Sequence, residues 1–333
     1  MVMAFRPKRS LAEQVLVITG ASSGIGLATS RLAIDMGAKV VIAARSPEIE
    51  RIADELRMEG GKIEAVIADV SEEDDVRRIA TRAIEAFGRI DTWVNNAGSG
   101  LFGRTVDIPV TDMRELFETD FWGVVHGSRA AIEHMADAGG TLINVGSVVS
   151  DRAIPLQGAY CAAKHAVKAW TDTLRMELEH DRIPIQVTLI KPATIDTPYF
   201  AHAKNLLEEG VPAAPPPVYA PETVARTILH CATAPTREIA VGLGGRVQFM
   251  VARLVPAIAD RWMERGMYSQ QSRREPHEPR TLGSGQERGD HQGIVFYRSR
   301  YTELRAHSIL AGLTAGFGAA FLAIMAMRRA RSA

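Results

Sequence analysis

The sequence predicts an α/β fold, a doubly wound parallel sheet with helices on both faces. Three observations carry this. Short β-branched runs alternate with longer helical patterns from about residue 14 to residue 241, the pattern of strands joined by crossover helices. Several of the runs are apolar almost throughout, as strands covered on both faces must be. The first run leads straight into a glycine-rich turn, TGASSGIG at 19–26, and a helical pattern follows it.

Taken in order, the strand candidates are QVLVIT (14–19), AKVVIA (38–43), IEAVI (63–67), IDTWV (90–94), TLINV (141–145), IQVTLI (185–190) and EIAV (238–241). The segments between them, such as 24–36 and 72–86, are long enough for crossover helices. After Pro192 the alternation loosens. Residues 194–222 are rich in proline, leave room for one short helix and follow the carboxyl end of a strand. Long loops in that position are often binding-site lids, so the segment is read as a substrate lid. Tyr199, Phe200, Leu206, Leu207 and Tyr219 are available in it to line a pocket.

Residues 246–265 put Val247, Val251, Leu254, Val255, Ile258 and Trp262 largely on one helical face. Such a face either caps the core or a dimer interface, or lies on a membrane surface. The polar stretch 269–293 has hardly an apolar residue and reads as a flexible, disordered linker. Beyond it, 308–327 runs without a charge and is followed by RRARSA. A run of that length suits a transmembrane helix, and arginines at both ends leave its orientation open. The alternative is a helix packed on the domain or on a partner subunit. The expected organisation is a catalytic domain over 11–265, a linker and a membrane-anchoring tail.

Lysine plus arginine number 39 in the 333 residues and aspartate plus glutamate also 39. A net charge of zero gives no electrostatic case for nucleic acid. The only cysteines, Cys161 and Cys231, have no metal-ligand spacing, and two cysteines do not make a disulfide framework. His126 and His202 likewise lack partner spacing for a metal. The start, MVMAFRPKRS, lacks the apolar run of a secretory signal, and a cytoplasmic catalytic domain is expected.

Two motifs carry chemistry. In the glycine turn, Gly20, Gly24 and Gly26 allow a tight bend, close backbone approach and helix–strand packing. With Ser22, Ser23 and Ile25 between them, they place a helix N-terminus where its free N–H groups face a pyrophosphate. At the end of the second strand candidate, where an NAD site usually offers an acid to the ribose, stands Arg45. A guanidinium fork suits a phosphate, which argues for NADP over NAD. The second motif is GAYCAAK: Tyr160 and Lys164 lie four positions apart, on one helical face. A lysine charge beside a phenol lowers its pKa, the way to build a general acid/base for an alcohol or a carbonyl.

TGASSGIG, NNAG at 95–98, Ser147, Tyr160 and Lys164 together resemble the short-chain dehydrogenase/reductase family of the classical type, over about residues 11–245. The resemblance implies a Rossmann-like sheet of seven strands and a homo-oligomer, a dimer or tetramer. It implies that Asp69 and Val70 contact the adenine. Asn95, Asn96, Ala97 and Gly98 would support the central sheet beside the cofactor, and Ile195 and Thr197 would hold the nicotinamide carboxamide. Ser147 would polarise the substrate carbonyl, Tyr160 would exchange the proton, and Lys164 would also bond the nicotinamide ribose. Two positions depart from the family. Ala193 stands where it usually has Gly, and Asp120 where it usually has the Asn that orders water behind the lysine. A carboxylate there opposes Lys164 and raises the phenol pKa, so the pH profile is expected to move. The expected substrate is a small hydrophobic ketone or aldehyde, or the corresponding alcohol. Two other readings stay open: a dinucleotide-binding scaffold or sensor with weakened chemistry, and an isomerase or dehydratase on the same fold.

Overall fold

The computed structural model describes residues 9–242, 257, 260–261, 263–273, 285–291, 293–299 and 301–303. All seven strand candidates form one sheet: β1 (Val15–Thr19), β2 (Lys39–Ala44), β3 (Lys62–Ile67), β4 (Thr92–Asn95), β5 (Gly140–Val145), β6 (Ile185–Pro192) and β7 (Glu238–Val241). Their order is β7-β6-β5-β4-β1-β2-β3, and every pairing is parallel. From β1 the chain winds outward through β2 to β3, then returns to β4 and winds the other way. The reversal leaves a crevice at the carboxyl ends of β1 and β4, the place where open α/β sheets bind ligands.

The connecting helices are α1 (Gly24–Asp35), α2 (Glu48–Met58), α3 (Glu73–Phe87), α4 (Val110–Phe117), α5 (Gly123–Met135), α6 (Gly158–His180) and α7 (Pro221–Thr233). Side chains alternate across a strand, and the core divides accordingly. Leu16, Ile18, Val40 and Ile42 pack with Leu27, Ile52, Leu56 and Ile228 of α1, α2 and α7. Val17, Val41 and Trp93 pack on the opposite face with Val76, Ile79, Met135 and Leu174 of α3, α5 and α6. Burial of a side chain such as Ile18 or Leu27 contributes about 2 kcal/mol. Local signals agree with the packing. The first turn of α3 carries Glu73, Asp74 and Asp75, matching the helix dipole, and Gly88 caps that helix in the left-handed region at φ 78°.

The lid contains its one short helix, Tyr199–His202. The rest is tied down by short pairings: Lys204–Leu206 with Leu101–Gly103, Val218–Tyr219 with Thr194–Ile195, and Val211–Pro212 with Ser272–Arg273. Of the stretch 269–293, expected to be a disordered linker, the structure describes residues 269–273, 285–291 and 293. Gln271 is wholly buried, residues 285–289 bond to the glycine turn and α7, and beyond the stretch Val295–Phe296 adds a parallel strand beside Val218–Tyr219. Composition shows only that such a segment has little apolar surface to bury; here backbone hydrogen bonds and ion pairs give it its course. The proposed transmembrane run 308–327 and most of the amphipathic stretch 246–265 lie outside the described residues. Among the described residues no helix is long and apolar enough to cross a membrane.

Candidate active site

The crevice opens into a cavity of about 510 Å³. Its first wall is the glycine turn between β1 and α1. Gly20 takes φ 65°, a conformation that suits glycine, and a Cβ there would lie 2.6 Å from the Ala97 Cα. Gly20, Ser22, Ser23, Gly24 and Ile25 all line the cavity, joined by Asn96, Ala97 and Gly98 at the end of β4. Gly26 does not. Its hydrogen is required because a Cβ would stand 2.3 Å from the Gly20 carbonyl oxygen, so it sets how closely α1 meets the turn. Asn96 secures that turn, donating from Nδ2 to the Thr19 and Gly20 carbonyls at 3.0 and 3.1 Å.

Arg45, Ser46 and Val70 line the far end of the cavity, whereas Asp69 does not. Asp69 instead accepts from the Ser71 N–H and hydroxyl and stands 3.7 Å from the Arg45 guanidinium. Arg45 itself is largely exposed. At the other end, Ile195, Thr197, Tyr199, Phe200 and Pro215 to Pro217 form a largely apolar wall. Leu206 and Tyr219 turn away from it: Leu206 packs with Leu101 and Ile108, and Tyr219 belongs to the sheet core. Leu207 is not on the wall either.

Ser147, Tyr160, Lys164 and Asp120 meet between these walls. Ser147 follows β5 and caps a single 3-10 turn, its hydroxyl accepting from the Val149 N–H at 3.2 Å. Tyr160 and Lys164 lie in the first two turns of α6, with the ammonium 5.6 Å from the phenol ring centre. Asp120 sits in a π-helical turn, Glu118–Trp122, between α4 and α5. Such a turn widens the helix locally and often marks a functional position. Its carboxylate is fully buried. Oδ1 accepts from the Ser99 N–H at 2.7 Å and the Ser99 hydroxyl at 3.1 Å. Oδ2 faces the Lys164 ammonium at 3.1 Å, without an aligned hydrogen bond.

The electrostatics differ from the simple two-residue picture. Burial raises the Tyr160 pKa; Lys164 pulls it down, Asp120 pushes it up, and the net direction is upward. Burial depresses Lys164, but Asp120 and then Tyr160 outweigh it and hold the ammonium charged. The lowering expected from Lys164 is present, and burial overrides it. A second phenol, Tyr199, lies with its ring centre 5.5 Å from that of Tyr160 and its hydroxyl 3.4 Å from Gln157 Oε1. Gln157 Nε2 donates in turn to Gln271 Oε1 at 2.6 Å. Sequence reasoning missed Ser46, Ser99, Gln157 and Met267 on the cavity wall. For Ser46 a signal existed, its place beside Arg45. For Gln157 and Met267 there was none.

Asn95 holds the floor of this arrangement. It accepts from Trp93 Nε1 at 2.7 Å and donates to Asn144 Oδ1 at 2.9 Å, and Asn144 donates to Thr171 of α6 at 2.9 Å. These bonds link three elements, β4, β5 and α6, beneath the site. Among the described residues no cluster of histidine, cysteine or carboxylate side chains is placed to hold a metal.

A doubly wound sheet with a glycine-turn crevice, and a serine, tyrosine and lysine gathered beside it, defines a dinucleotide-dependent oxidoreductase. The model of the short chain dehydrogenase family matches residues 14–206, and the chain belongs to that family. It is 44% identical over 322 residues to "Uncharacterized oxidoreductase YxnA" of Bacillus subtilis (strain 168), across 92% of this chain and 90% of the relative. Its structure is similar to a short chain dehydrogenase/reductase from Burkholderia phymatum in complex with NAD, with a TM-score of 0.64, 26% identity, and coverage of 82% of this chain and 100% of that one. It is also similar to an alcohol dehydrogenase from the archaeon Thermococcus sibiricus complexed with 5-hydroxy-NADP, with a TM-score of 0.59, 29% identity, and coverage of 68% and 95%. The chain is a short-chain oxidoreductase of the NAD(P)-dependent kind.

Proposed function

We propose that the protein is an NADP(H)-dependent reductase that interconverts a hydrophobic ketone or aldehyde and its alcohol. The observation that carries this is the meeting of Ser147, Tyr160 and Lys164 in one cavity with the glycine turn and an apolar wall. The residues fit a dinucleotide. Gly20 leaves a cradle that a side chain would fill, and Ser22, Arg45 and Ser46 line the same cavity, where they would hold a 2′-phosphate. When bound, the nicotinamide supplies or accepts the hydride.

The chain's own residues do the rest. Ser147 is placed to donate to the substrate oxygen and polarise the carbonyl. Tyr160, kept protonated by its raised pKa, gives that oxygen its proton in reduction and takes it back in oxidation. Lys164 supplies a fixed positive charge that eases formation of the phenolate, and Asp120 holds the ammonium in place at 3.1 Å. Tyr199, Phe200 and the prolines 215–217 favour an apolar substrate body and keep water from it.

The test follows NADPH absorbance with the purified full-length protein against hydrophobic ketones, aldehydes and quinones. Turnover is expected, and Tyr160→Phe should lower kcat by about 10²-fold or more. A second reading draws on Asp120, whose charge opposes Lys164 at the phenol: a scaffold or sensor that binds NADPH without turnover. Tight NADPH binding with no turnover across the panel would replace the reductase with that reading. A substrate transformed with no net change in the cofactor's redox state would point to an isomerase or dehydratase. The homo-oligomer expected from the family is likewise a proposal, for which light scattering of the purified protein is the check.

A further inference from the structure

Residues 285–289 take no part in the chemistry above, yet they are seated on both cofactor loops. The Gly285 N–H donates to the Ser22 carbonyl at 2.7 Å, and the Gly24 N–H donates to the Gln286 carbonyl at 2.9 Å. Gly24 opens α1, where a backbone N–H has no partner within the helix. Glu287 then reaches Arg31 of α1 at 3.1 Å. Gly289 lies against the other loop: a Cβ there would stand 2.6 Å from the Thr197 carbonyl oxygen and 2.9 Å from Asp196 Oδ1. Those two loops already touch, since a Cβ on Gly24 would be 3.1 Å from Thr197 Cγ2.

The segment is anchored away from the cavity. Arg288 bonds Glu222 at the start of α7 at 2.6 Å, donates to the Tyr297 hydroxyl at 2.8 Å and stacks over that ring at 4.9 Å. The Tyr297 carbonyl accepts in turn from Thr223 and Arg226. A polar chain gains little from burial and takes its order from such bonds. The match to the Bacillus subtilis relative covers 92% of this chain, so it runs through this segment and past the dehydrogenase core.

The structure assigns residues 285–289 to the cofactor site, as a strap that ties the glycine turn to the Thr197 loop and retains the bound nicotinamide dinucleotide. This rests on the NADP(H) reading above. Cofactor exchange then requires the strap to lift, which breaks the Gly24–Gln286 and Ser22–Gly285 hydrogen bonds and the Arg288 anchor. Opening of such an element frequently limits release.

The test measures NADPH binding by its own fluorescence in the full-length protein, without a carbonyl substrate. Kd comes from titration, and the release rate from stopped-flow displacement by excess NADP⁺. The parent is compared with Arg288→Glu, with the charge swap Arg288→Glu/Glu222→Arg, and with Gly289→Ala, whose Cβ would press on the Thr197 carbonyl. Arg288→Glu should release NADPH about fivefold faster, a modest factor because the pair is half exposed. The swap should recover most of the loss, and Gly289→Ala should also speed release. Release rates equal to the parent's in both single variants would overturn the strap, and so would tighter binding in Arg288→Glu, the mark of a segment that competes with the cofactor. A parent that binds neither NADPH nor NADH overturns the dinucleotide reading and the strap with it, so the two failures are distinguishable.

Discussion

Tyr160 is held protonated chiefly by burial, with Lys164 pulling its pKa down and Asp120 pushing it up. The direction decides how each half-reaction depends on pH. In the proposed reaction, reduction would use the protonated phenol, which is present at neutral pH. Oxidation would use the phenolate, so its rate should climb as pH rises toward the elevated pKa. Asp120→Asn removes the upward push of the carboxylate while leaving the Lys164 charge. The alcohol-oxidation profile of the variant should therefore move to lower pH, and profiles that superimpose on the parent's would show that Asp120 does not act on the phenol. At the opposite end of the cavity, Arg45 is exposed and stands 3.7 Å from Asp69. If Arg45 receives a 2′-phosphate, Arg45→Asp replaces an attraction with a repulsion. The ratio of kcat/KM for NADPH over NADH should then fall by about tenfold or more, and an unchanged ratio would assign the choice of cofactor elsewhere.

Single residues act through the elements that hold them, and Asn95 shows how far one side chain reaches. Its amide joins β4 to β5 and, through Asn144 and Thr171, to α6, which carries Tyr160 and Lys164. Asn95→Ala strips partners from the buried Trp93 indole N–H and the Asn144 side-chain Oδ1. The cost should be about 2–4 kcal/mol, read as a lower midpoint in urea unfolding. Gly26 ties α1 to the glycine turn differently, by the absence of a side chain. Gly26→Ala puts a Cβ against a backbone oxygen that cannot move aside cheaply, so NADPH affinity should fall while the sheet stays intact by circular dichroism. The strands and crossover helices were legible because each repeats a short rule, an apolar run and then an amphipathic one. The Gly20, Gly24, Gly26 turn and the Tyr160–Lys164 pair were legible because chemistry fixes their spacing. Leu206 and Tyr219 were not, since an apolar residue in a lid looks the same whether it faces the cavity or the core. The strap at 285–289 was hidden for a related reason: its partners Ser22, Glu222 and Thr197 lie far away in sequence, and composition records no such pairing.

At the scale of the whole molecule, the cavity wall takes in a segment well past the seven-stranded sheet. Met267 reaches its wall, and Gln271, wholly buried, links three parts of the chain. Its Nε2 donates to the Pro155 carbonyl at 2.9 Å, its Oε1 accepts from Gln157 at 2.6 Å, and its carbonyl accepts from the Ala213 N–H of the lid at 2.9 Å. Gln157 in turn lies 3.4 Å from the Tyr199 hydroxyl. The wall that carries Tyr199 is thus backed by one amide that touches neither Tyr160 nor the glycine turn. Gln271→Ala leaves the main-chain bond to Ala213 but strips Gln157 and Pro155 of a partner. The wall carrying Tyr199 should loosen. KM for a hydrophobic ketone should rise by about three- to tenfold, as loss of one or two buried hydrogen bonds implies, with Kd for NADPH unchanged because the glycine turn is untouched. Gln271→Glu keeps an acceptor for the Gln157 amide and should recover part of the KM. If both constants shift together in Gln271→Ala, the residue stabilises the domain as a whole. If KM alone shifts, the segment after the last strand shapes the substrate pocket.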